Sequence, residues 1–520
     1  MSSNRTARPI APPTEEELRT AAHAIFLETD RTDLEFYAAA MAGLVDEFNA
    51  LEAMDSPRLP VRYPRAQGYR PSGDENRYGA WQWKCQVKGA ATGKLAGKRV
   101  VIKDNIGVAG MPMLNGSALY EGYVADEDAT VVTRILDAGG EVLGKAVCEN
   151  FCYSGGSHTA ASGPVRNPRN PDFMTGGSSS GCAALIVAGE CDMAVGSDQG
   201  GSVRMPSSWS GCVGIKPTHG LVPYTGAGPI EQSIDHLGPM AASSLDCALL
   251  LEVIAGYDDS RDPRQVASLQ SKPYSELVTE GIHGLRIGIV GEGFGAPGSE
   301  ADVDEAVALA ARSLVKAGAV VEDISIPVHA EAMTVMFASS VDGTLSSWSD
   351  QGPSGPNSGG YHPLGAIRFF QEARKSRAAD LPDMAKTVML FAHVMRARYG
   401  NYYSAKAQNL LRPIRAAYDE ALKNCDLLIM PTTVMKAHPI PSADASREEI
   451  LGMTLDMLGN TAPFDGTNHP SMSVPVCLSD GLPVGMMITG RCGEDDVVLR
   501  AGHAFEMLRG PIWPVINHRV

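Results

Sequence analysis

The stretch from Gly176 to Pro217 reads GGSSSGCAALIVAGECDMAVGSDQGGSVRMPSSWSGCVGIKP. Two glycine–serine clusters, at 176–181 and 200–202, lie on either side of an apolar segment. Within that segment, residues 182–188 predict a short buried helix and residues 193–196 predict a strand. Glycine lets backbone N–H groups approach a ligand closely, and serine supplies hydroxyl groups. The pattern therefore predicts two neighbouring turns suited to catalysis.

Three other interpretations of the clusters are weaker. A glycine–serine cluster alone is typical of a linker, but a linker would not lead directly into an apolar helix and then recur after a strand. A phosphate-binding P-loop needs a Gly-Lys-Ser/Thr sequence, which the first cluster lacks. Residues 177–181 match the G-x-S-x-G elbow of α/β-hydrolases with Ser179 at the centre, but the polar, proline-broken segment 166–175 precedes them instead of a buried strand.

A lysine lies upstream at the end of a predicted strand, in the sequence RVVIKDN at 99–105. Together with the two serine clusters, Lys103 gives the chain the pattern of the amidase signature family of serine hydrolases, which it resembles. Further landmarks of that family follow along most of the chain, such as NGS at 115–117, DHLGP at 235–239 and GLPVG at 481–485. The resemblance is strongest to the enantioselective amidases of nitrile-degrading bacteria.

The resemblance implies a role for each member of a catalytic triad. Ser202 is expected to be the nucleophile, Ser178 to bridge it to Lys103 from a cis peptide bond after Gly177, and Lys103 to act as the base. Asp104 follows Lys103 directly, but neighbours along a strand point to opposite faces, so we do not expect the two to pair. The resemblance assigns the oxyanion hole to the backbone N–H groups of Gln199, Gly200, Gly201 and Ser202.

Side chains near these residues suggest one structural role and two rival sites. Asp198 and Arg204 have opposite charges on either side of the Ser202 turn and are expected to pair. A histidine triad built on Asp235-His236 would be the competing mechanism. The nearby Cys148, Cys152 and His158 match no standard zinc spacing, so we expect no metal and no cofactor.

Composition restricts the class of protein. The chain has 520 residues, a net charge of −16 and ten cysteines without paired spacing. The negative charge argues against nucleic acid or an anionic membrane as a partner. No run of about 18 apolar residues occurs, and the N-terminal residues lack the apolar core of a signal peptide. We therefore expect a cytoplasmic protein with reduced thiols.

The predicted organisation is that of an α/β protein. An N-terminal helical arm is expected at 1–88, beginning at the N-cap Thr14. The catalytic core is expected at 89–330 and 414–520, where short apolar strands alternate with amphipathic helices. Residues 331–413 break that alternation and are expected to form a small helical insert that caps the substrate pocket. The resemblance implies an α/β/α core around a large twisted mixed sheet, and a homodimer.

The expected activity is hydrolysis of a small carboxamide to a carboxylic acid and ammonia or an amine through an acyl-enzyme. Alternatives are a carbamate, ester or anilide hydrolase on the same triad, a component of a glutamine-dependent amidotransferase, and a catalytically inactive binding protein. The sequence does not identify the acyl group. We expect the substrate pocket to lie near Tyr153, Met174 and Thr225.

Overall fold

The computed structural model describes residues 9–350 and 359–512. The described residues up to Leu59 form one compact unit, and those from Pro60 onward form a second. The expected insert at 331–413 includes residues 351–358, which lie outside the described residues. Within the described ranges, no helix combines the length and the apolar character needed to cross a membrane.

The first unit contains helices α1 (Glu15–Ala24), α2 (Arg31–Ala40) and α3 (Ala42–Glu52). Thr14 is the N-cap of α1, as predicted. Its hydroxyl accepts a hydrogen bond from the backbone of Glu17, whose carboxylate accepts one from the backbone of Thr14. This capping box satisfies backbone N–H groups that the first helical turn leaves without partners.

The second unit is built on strands that alternate with helices. Its strands are β1 (Trp81–Lys88), β2 (Arg99–Lys103), β3 (Glu141–Ala146), β4 (Arg166–Asn167), β5 (Asn170–Met174), β6 (Met193–Asp198), β7 (Val213–Lys216), β8 (His236–Ala241), β9 (Arg286–Val290), β10 (Val320–Ile324), β11 (Leu427–Pro431), β12 (Ser471–Ser479) and β13 (Leu482–Gly490).

The helices of the second unit follow the same numbering along the chain. They are α4 (Thr130–Asp137), α5 (Ser180–Val187), α6 (Arg204–Ser210), α7 (Ser244–Ile254), α8 (Tyr274–Leu277), α9 (Ala301–Ser313), α10 (His329–Leu345), α11 (Leu364–Arg377), α12 (Asp383–Tyr399), α13 (Tyr402–Asn424), α14 (Arg447–Gly452), α15 (Pro463–Gly466) and α16 (Asp495–Arg509).

Eleven strands form one mixed sheet in the order β1-β3-β2-β6-β8-β7-β12-β13-β11-β9-β10, and β4 and β5 form a separate ribbon. Strands β3, β2 and β6 run parallel, as do β11, β9 and β10. The pairs from β6 through β8, β7, β12 and β13 to β11 are antiparallel. This α/β architecture with a large mixed sheet is the predicted fold class.

Apolar residues on both faces hold the sheet between layers of helices. In β2, Val100 and Ile102 belong to one large apolar cluster, whereas Val101 between them belongs to a second one that contains α5. Successive side chains on a strand point to opposite faces, so a strand buried on both faces reads as a continuous apolar run. Lys103 ends β2 on the face of Val101, the face on which α5 lies.

The arm expected at 1–88 differs from the structure at its C-terminal end. Residues 81–88 form the edge strand β1, which pairs antiparallel with β3. The sequence WQWKCQVK alternates apolar and polar residues, which is typical of a strand with one buried face. These residues therefore belong to the main sheet.

Candidate active site

Lys103 lies at the end of β2 with no exposed surface. Its Nζ donates hydrogen bonds to Ser178 Oγ at 2.7 Å, to Ser197 Oγ at 2.8 Å and to the carbonyl oxygen of Ser197 at 3.2 Å. These acceptors are neutral. The amine is therefore held in place by hydroxyl groups and a carbonyl group.

The carboxylate next to Lys103 in sequence points elsewhere. Asp104 pairs with Lys145 at 3.1 Å, and its second oxygen accepts a hydrogen bond from the backbone of Leu114. In residues 9–350 and 359–512, Lys103 has no carboxylate within 4.0 Å of its Nζ. The structure agrees with the opposite-face argument made from the sequence.

Ser178 is held by backbone contacts in the turn before α5. The Gly177–Ser178 peptide bond is cis, as the resemblance implied. The carbonyl of Ser178 accepts a hydrogen bond from Glu149 N at 3.1 Å, and Gly177 N donates to Gly155 O at 2.6 Å. A Cβ atom on Gly177 would lie 2.2 Å from Gly156 O, so the close approach of the two backbones requires glycine there.

Asp198 organises the turn that carries Ser202. At the end of β6, its carboxylate accepts hydrogen bonds from the backbone of Gly201 at 2.5 Å, Val203 at 3.0 Å and Arg204 at 3.3 Å. The guanidinium of Arg204 binds the same carboxylate at 3.0 Å, which confirms the predicted pair. Both side chains are fully buried, and Arg204 also pairs with Asp465 at 2.5 Å.

The four backbone amides expected to bind the oxyanion differ in whether they already donate a hydrogen bond. Gly201 N already donates to Asp198. The amides of Gly200 and Ser202 donate no hydrogen bond within the described part of the chain. Gln199, Gly200 and Ser202 also line one cavity. The amide of Gln199 is likewise without an acceptor in the described ranges, so Gln199, Gly200 and Ser202 are better placed than Gly201 to bind an oxyanion there.

The cavity at Ser202 is largely apolar and has a volume of about 50 Å³. Its apolar wall comes from the loop after β7, from α10 and from the segment before α15, and it includes Ile230, Ile234, Met333, Met336, Phe337, Leu455 and Leu458. Helix α10 lies within the expected cap at 331–413 except for its first two residues. The apolar run 388–394 of that segment contributes no residue to this cavity.

The three expected pocket residues lie in three different places. Tyr153 lines the cavity with Ser202. Met174, at the end of β5, is fully buried in an apolar cluster that also contains Met205. Thr225 lines a separate cavity, together with charged residues such as Arg264. Only Tyr153 of the three borders the cavity that contains Ser202.

A hydrogen-bond network around Gln199 was not anticipated from the sequence. Gln199 Nε2 donates to Tyr224 OH at 2.7 Å, and Tyr224 OH donates to Gly228 O at 3.0 Å. Asn105 Nδ2 lies 3.2 Å from Ser197 Oγ, which also binds Lys103. Asn105 Nδ2 also lies 3.4 Å from Tyr224 OH, so Tyr224 and Asn105 together connect the Ser202 turn to the surroundings of Lys103. These partners are far apart in sequence, so no local pattern could have identified them.

Cys152 is a second residue at the site that the sequence did not assign to it. It lines the cavity with Ser202, and its Sγ donates a hydrogen bond to Asn115 Oδ1 at 3.5 Å. Burial raises the pKa of a thiol, but the hydrogen bond from Cys148 and the nearby Lys103 outweigh it and lower the pKa of Cys152 to about 6. Cys148, buried beside it, has its pKa raised by burial.

Neither Ser179 of the elbow nor the Asp235-His236 pair lines the cavity that contains Ser202. Ser179 Oγ donates to Ser197 O at 3.2 Å at the start of α5 and does not line the cavity. The ring of His236 contacts Lys216 and the carbonyl of Ile234. Among the described residues, no group of three or more His, Cys, Asp or Glu side chains is arranged to hold a metal ion.

Comparison with known proteins identifies the class to which this fold and site belong. The family model described as Amidase matches residues 70–499. The chain is 39% identical over 500 residues to an enantioselective amidase of Rhodococcus rhodochrous, covering 96% of each sequence. The chain therefore belongs to the amidase family and is an amide-hydrolysing enzyme.

The chain is also similar to proteins that are named for other activities. Over 418 residues the chain is 36% identical to a component of the glutamyl-tRNA(Gln) amidotransferase of Methanosarcina mazei, covering 80% of this chain and 85% of that protein. Among solved structures, the peptide amidase of Stenotrophomonas maltophilia is similar, with a TM-score of 0.67 and 27% identity. That match covers 81% of this chain and 85% of the other.

Proposed function

We propose that this protein is a serine amidase that hydrolyses carboxamides to a carboxylic acid and ammonia or an amine through an acyl-enzyme on Ser202. The observation that carries the proposal is the buried Lys103–Ser178 contact of 2.7 Å, next to a cavity lined by Ser202. Hydrolysis of an amide needs a nucleophile, a base, a proton donor for the leaving amine and support for the oxyanion. Each of these groups can be assigned to a residue of this site.

The proposed reaction begins when Ser202 Oγ attacks the carbonyl carbon. Its proton passes to Ser178 Oγ while the proton of Ser178 passes to unprotonated Lys103. The free amides of Gln199, Gly200 and Ser202 are the donors proposed to bind the oxyanion. They need no reorganisation during the reaction, because Asp198 and Arg204 fix the turn beforehand.

Collapse of the tetrahedral intermediate breaks the C–N bond. Lys103 returns its proton through Ser178 to the leaving nitrogen, so ammonia or an amine departs neutral, and the acyl group stays on Ser202. A water molecule then attacks the ester and gives a proton through Ser178 to Lys103, which returns it through Ser178 to Ser202 Oγ as the bond between the acyl carbon and Ser202 Oγ breaks. The products are the carboxylic acid and free Ser202, and the protonation state of Lys103 is restored.

The acyl side of the substrate is proposed to be apolar. The cavity wall is formed by aliphatic side chains, methionines and Phe337. A charged acyl group would lose its hydration there without gaining a partner. Apolar amides, aliphatic or aryl, therefore fit this cavity better than charged ones.

Two alternatives rest on specific observations. Relatives at 36% identity are named as amidotransferase components, which would make the chain part of a larger complex. A carbamate, ester or anilide hydrolase could also use the same three residues. The match to the Rhodococcus amidase covers nearly the whole chain, which favours an amidase that acts without a second kind of chain. Assembly as a homodimer, implied by the resemblance, is part of the proposal and can be measured by sedimentation.

The test is to incubate the purified chain with aliphatic, aryl and anilide amides, and with an ester of the same acyl group. The acid product is measured by mass spectrometry and ammonia by a coupled assay. Acid and ammonia in equal amounts, formed by the wild type and not by Ser202→Ala, would support the proposal. Release of ammonia only from glutamine, and only with a second kind of chain present, would favour the amidotransferase.

A further inference from the structure

Helix α10 separates two cavities. Met333, Met336 and Ser340 face the cavity that contains Ser202. Thr334 and Val341 face a groove on the other side of the helix. Met333, Met336 and Ser340 are three and four residues apart, and Thr334 and Val341 are seven residues apart. Each of these two groups therefore lies along one side of the helix.

Phe337 lines both cavities. In the part of the chain that the structure describes, the two linings share no other residue. The side chain is half-buried and packs against the small cluster of Val341, Leu345 and Ala392. One aromatic ring therefore lies between the Ser202 cavity and the groove.

The groove has a volume of about 260 Å³ and is mostly apolar. Phe391 and Met395 of α12 and Tyr403 of α13 form its outer wall. Phe391 is 51% exposed and Tyr403 is 45% exposed. Exposing contiguous apolar surface is unfavourable, and such surface often marks a binding site.

We propose that Phe337 closes the Ser202 cavity toward this groove and so sets how far an acyl group can extend from Ser202, and that the groove receives the distal apolar part of a long acyl chain only when the side chain at 337 is small. The proposal rests on the amidase function proposed above. With the ring in place, acyl groups must fit within the Ser202 cavity. With a smaller side chain at 337, an extended acyl chain can pass α10 and lie in the groove.

The chemistry of the groove favours an uncharged tail as its occupant. Its charged lining residues, Asp342 and Arg396, form an ion pair at 2.8 Å, so both charges are compensated. Apart from the hydroxyl groups of Thr334 and Ser404, the remaining wall is mostly aromatic, aliphatic or thioether. An aliphatic chain gains about threefold to fourfold in affinity for each methylene group removed from water. The groove is also adjacent to the Ser202 cavity through Phe337, so one molecule can reach both.

The first experiment varies the size of residue 337. Phe337→Trp, Phe337→Leu and Phe337→Ala are compared with the wild type on butanamide, octanamide and dodecanamide. The ratio of kcat/KM for dodecanamide to that for butanamide should rise in the order Trp, Phe, Leu, Ala, by about 10-fold or more from Phe to Ala. Thermal unfolding of each variant checks the fold, and Phe337→Leu keeps the test valid if the alanine variant is unstable.

A double-mutant cycle distinguishes a tail in the groove from a merely larger cavity. Phe391→Ala alters the groove and not the Ser202 cavity. In the wild type, Phe391→Ala should leave kcat/KM for dodecanamide nearly unchanged. In the Phe337→Ala variant, the same substitution should lower that kcat/KM several-fold. Such non-additivity reports that one ligand contacts both positions. Met333→Ala is the control: it enlarges the Ser202 cavity alone and should show no coupling with Phe391→Ala.

A uniform effect of the 337 series on all three amides would overturn the proposal. Additive effects of Phe337→Ala and Phe391→Ala would overturn it too, and would leave the groove for another occupant such as a second copy of the chain. Failure of the proposed function gives a different result, because the wild type would then hydrolyse none of the amides.

Discussion

Lys103 Nζ lies 2.7 Å from Ser178 Oγ, and neither residue has exposed surface. The amine comes from the end of β2 and the hydroxyl from the turn before α5, so the sheet and its helical layer together position the contact. The remaining acceptors of the amine are the hydroxyl and carbonyl groups of Ser197. A lysine held by neutral groups can exchange a proton with a hydroxyl, which is the function proposed for it here.

The two serines of the signature should differ sharply on substitution. Ser202→Ala removes the proposed nucleophile and should lower kcat by about four to six orders of magnitude. Ser179→Ala loses a hydrogen bond to Ser197 and should have a much smaller effect. Steady-state kinetics on one amide measures both. An inactive Ser179→Ala together with an active Ser202→Ala would favour the hydrolase elbow.

Lys103→Ala should damage amide hydrolysis more than ester hydrolysis. Both reactions lose the base that activates Ser202, but only the amide needs a proton for a poor, basic leaving group. The additional loss should be about 10-fold or more, the lower part of what positioned acid–base catalysis contributes. The measurement compares kcat/KM for an amide and an ester with the same acyl group. Equal losses would limit Lys103 to activating Ser202 or to a structural role.

Much of the fold could be predicted because short buried segments carry clear signals. The apolar residues of β2 and β6, and the helix between the two serine clusters, are evident from the sequence. Strand β8 was not predicted, since Pro239 lies in its middle and proline is rare in inner strands. Here β8 lies between β6 and β7 despite that missing N–H group.

The site was only partly predictable for a different reason. Ser178, Ser202 and Lys103 belong to recognisable motifs, and Asp198 and Arg204 are close in sequence. Cavity residues such as Met333 and Leu455 come from segments that meet only in the folded chain. Side-chain chemistry alone does not say which methionine or leucine lines a cavity and which fills the core, and Met174 illustrates this.

Arg204→Gln should destabilise the protein strongly. The substitution leaves Asp198 and Asp465 buried without their counter-charge, which costs about 3–5 kcal/mol. Arg62→Gln is the matched control, because Arg62 pairs with Asp137 at an exposed position and should contribute within about 1 kcal/mol. Urea unfolding measures both. Similar stability of the two variants would contradict the role of Arg204 in holding the Ser202 turn.

The stability of the Ser202 turn should depend on acid pH through Asp198. Burial opposes ionisation of this carboxyl, but Arg204 and backbone N–H groups outweigh burial and hold its pKa well below the ordinary value of about 4. Ionised Asp198 therefore contributes its full amount to the free energy of unfolding at pH values above that ordinary pKa. This contribution is lost as the pH falls below the ordinary pKa. Unfolding free energies measured from about pH 6 to pH 3 should fall less steeply in Asp198→Asn than in the wild type. Identical slopes would contradict the assignment.

Chelation should not affect the reaction. The proposed mechanism obtains its electrostatic support from the backbone amides at 199, 200 and 202 and from Lys103. Activity after extensive dialysis against a chelator should equal that of an undialysed control. Loss of activity that zinc restores would contradict the mechanism and direct attention to Cys148, Cys152 and His158.

The site of acylation tests the central claim most directly. The enzyme is mixed with an activated ester that acylates faster than it deacylates, quenched in acid during turnover, digested, and mapped by mass spectrometry. The account predicts that the acyl mass appears on Ser202 and is absent from Ser202→Ala. Acylation of Ser178, Ser179 or Cys152 in its place would contradict the assignment of Ser202 as the nucleophile.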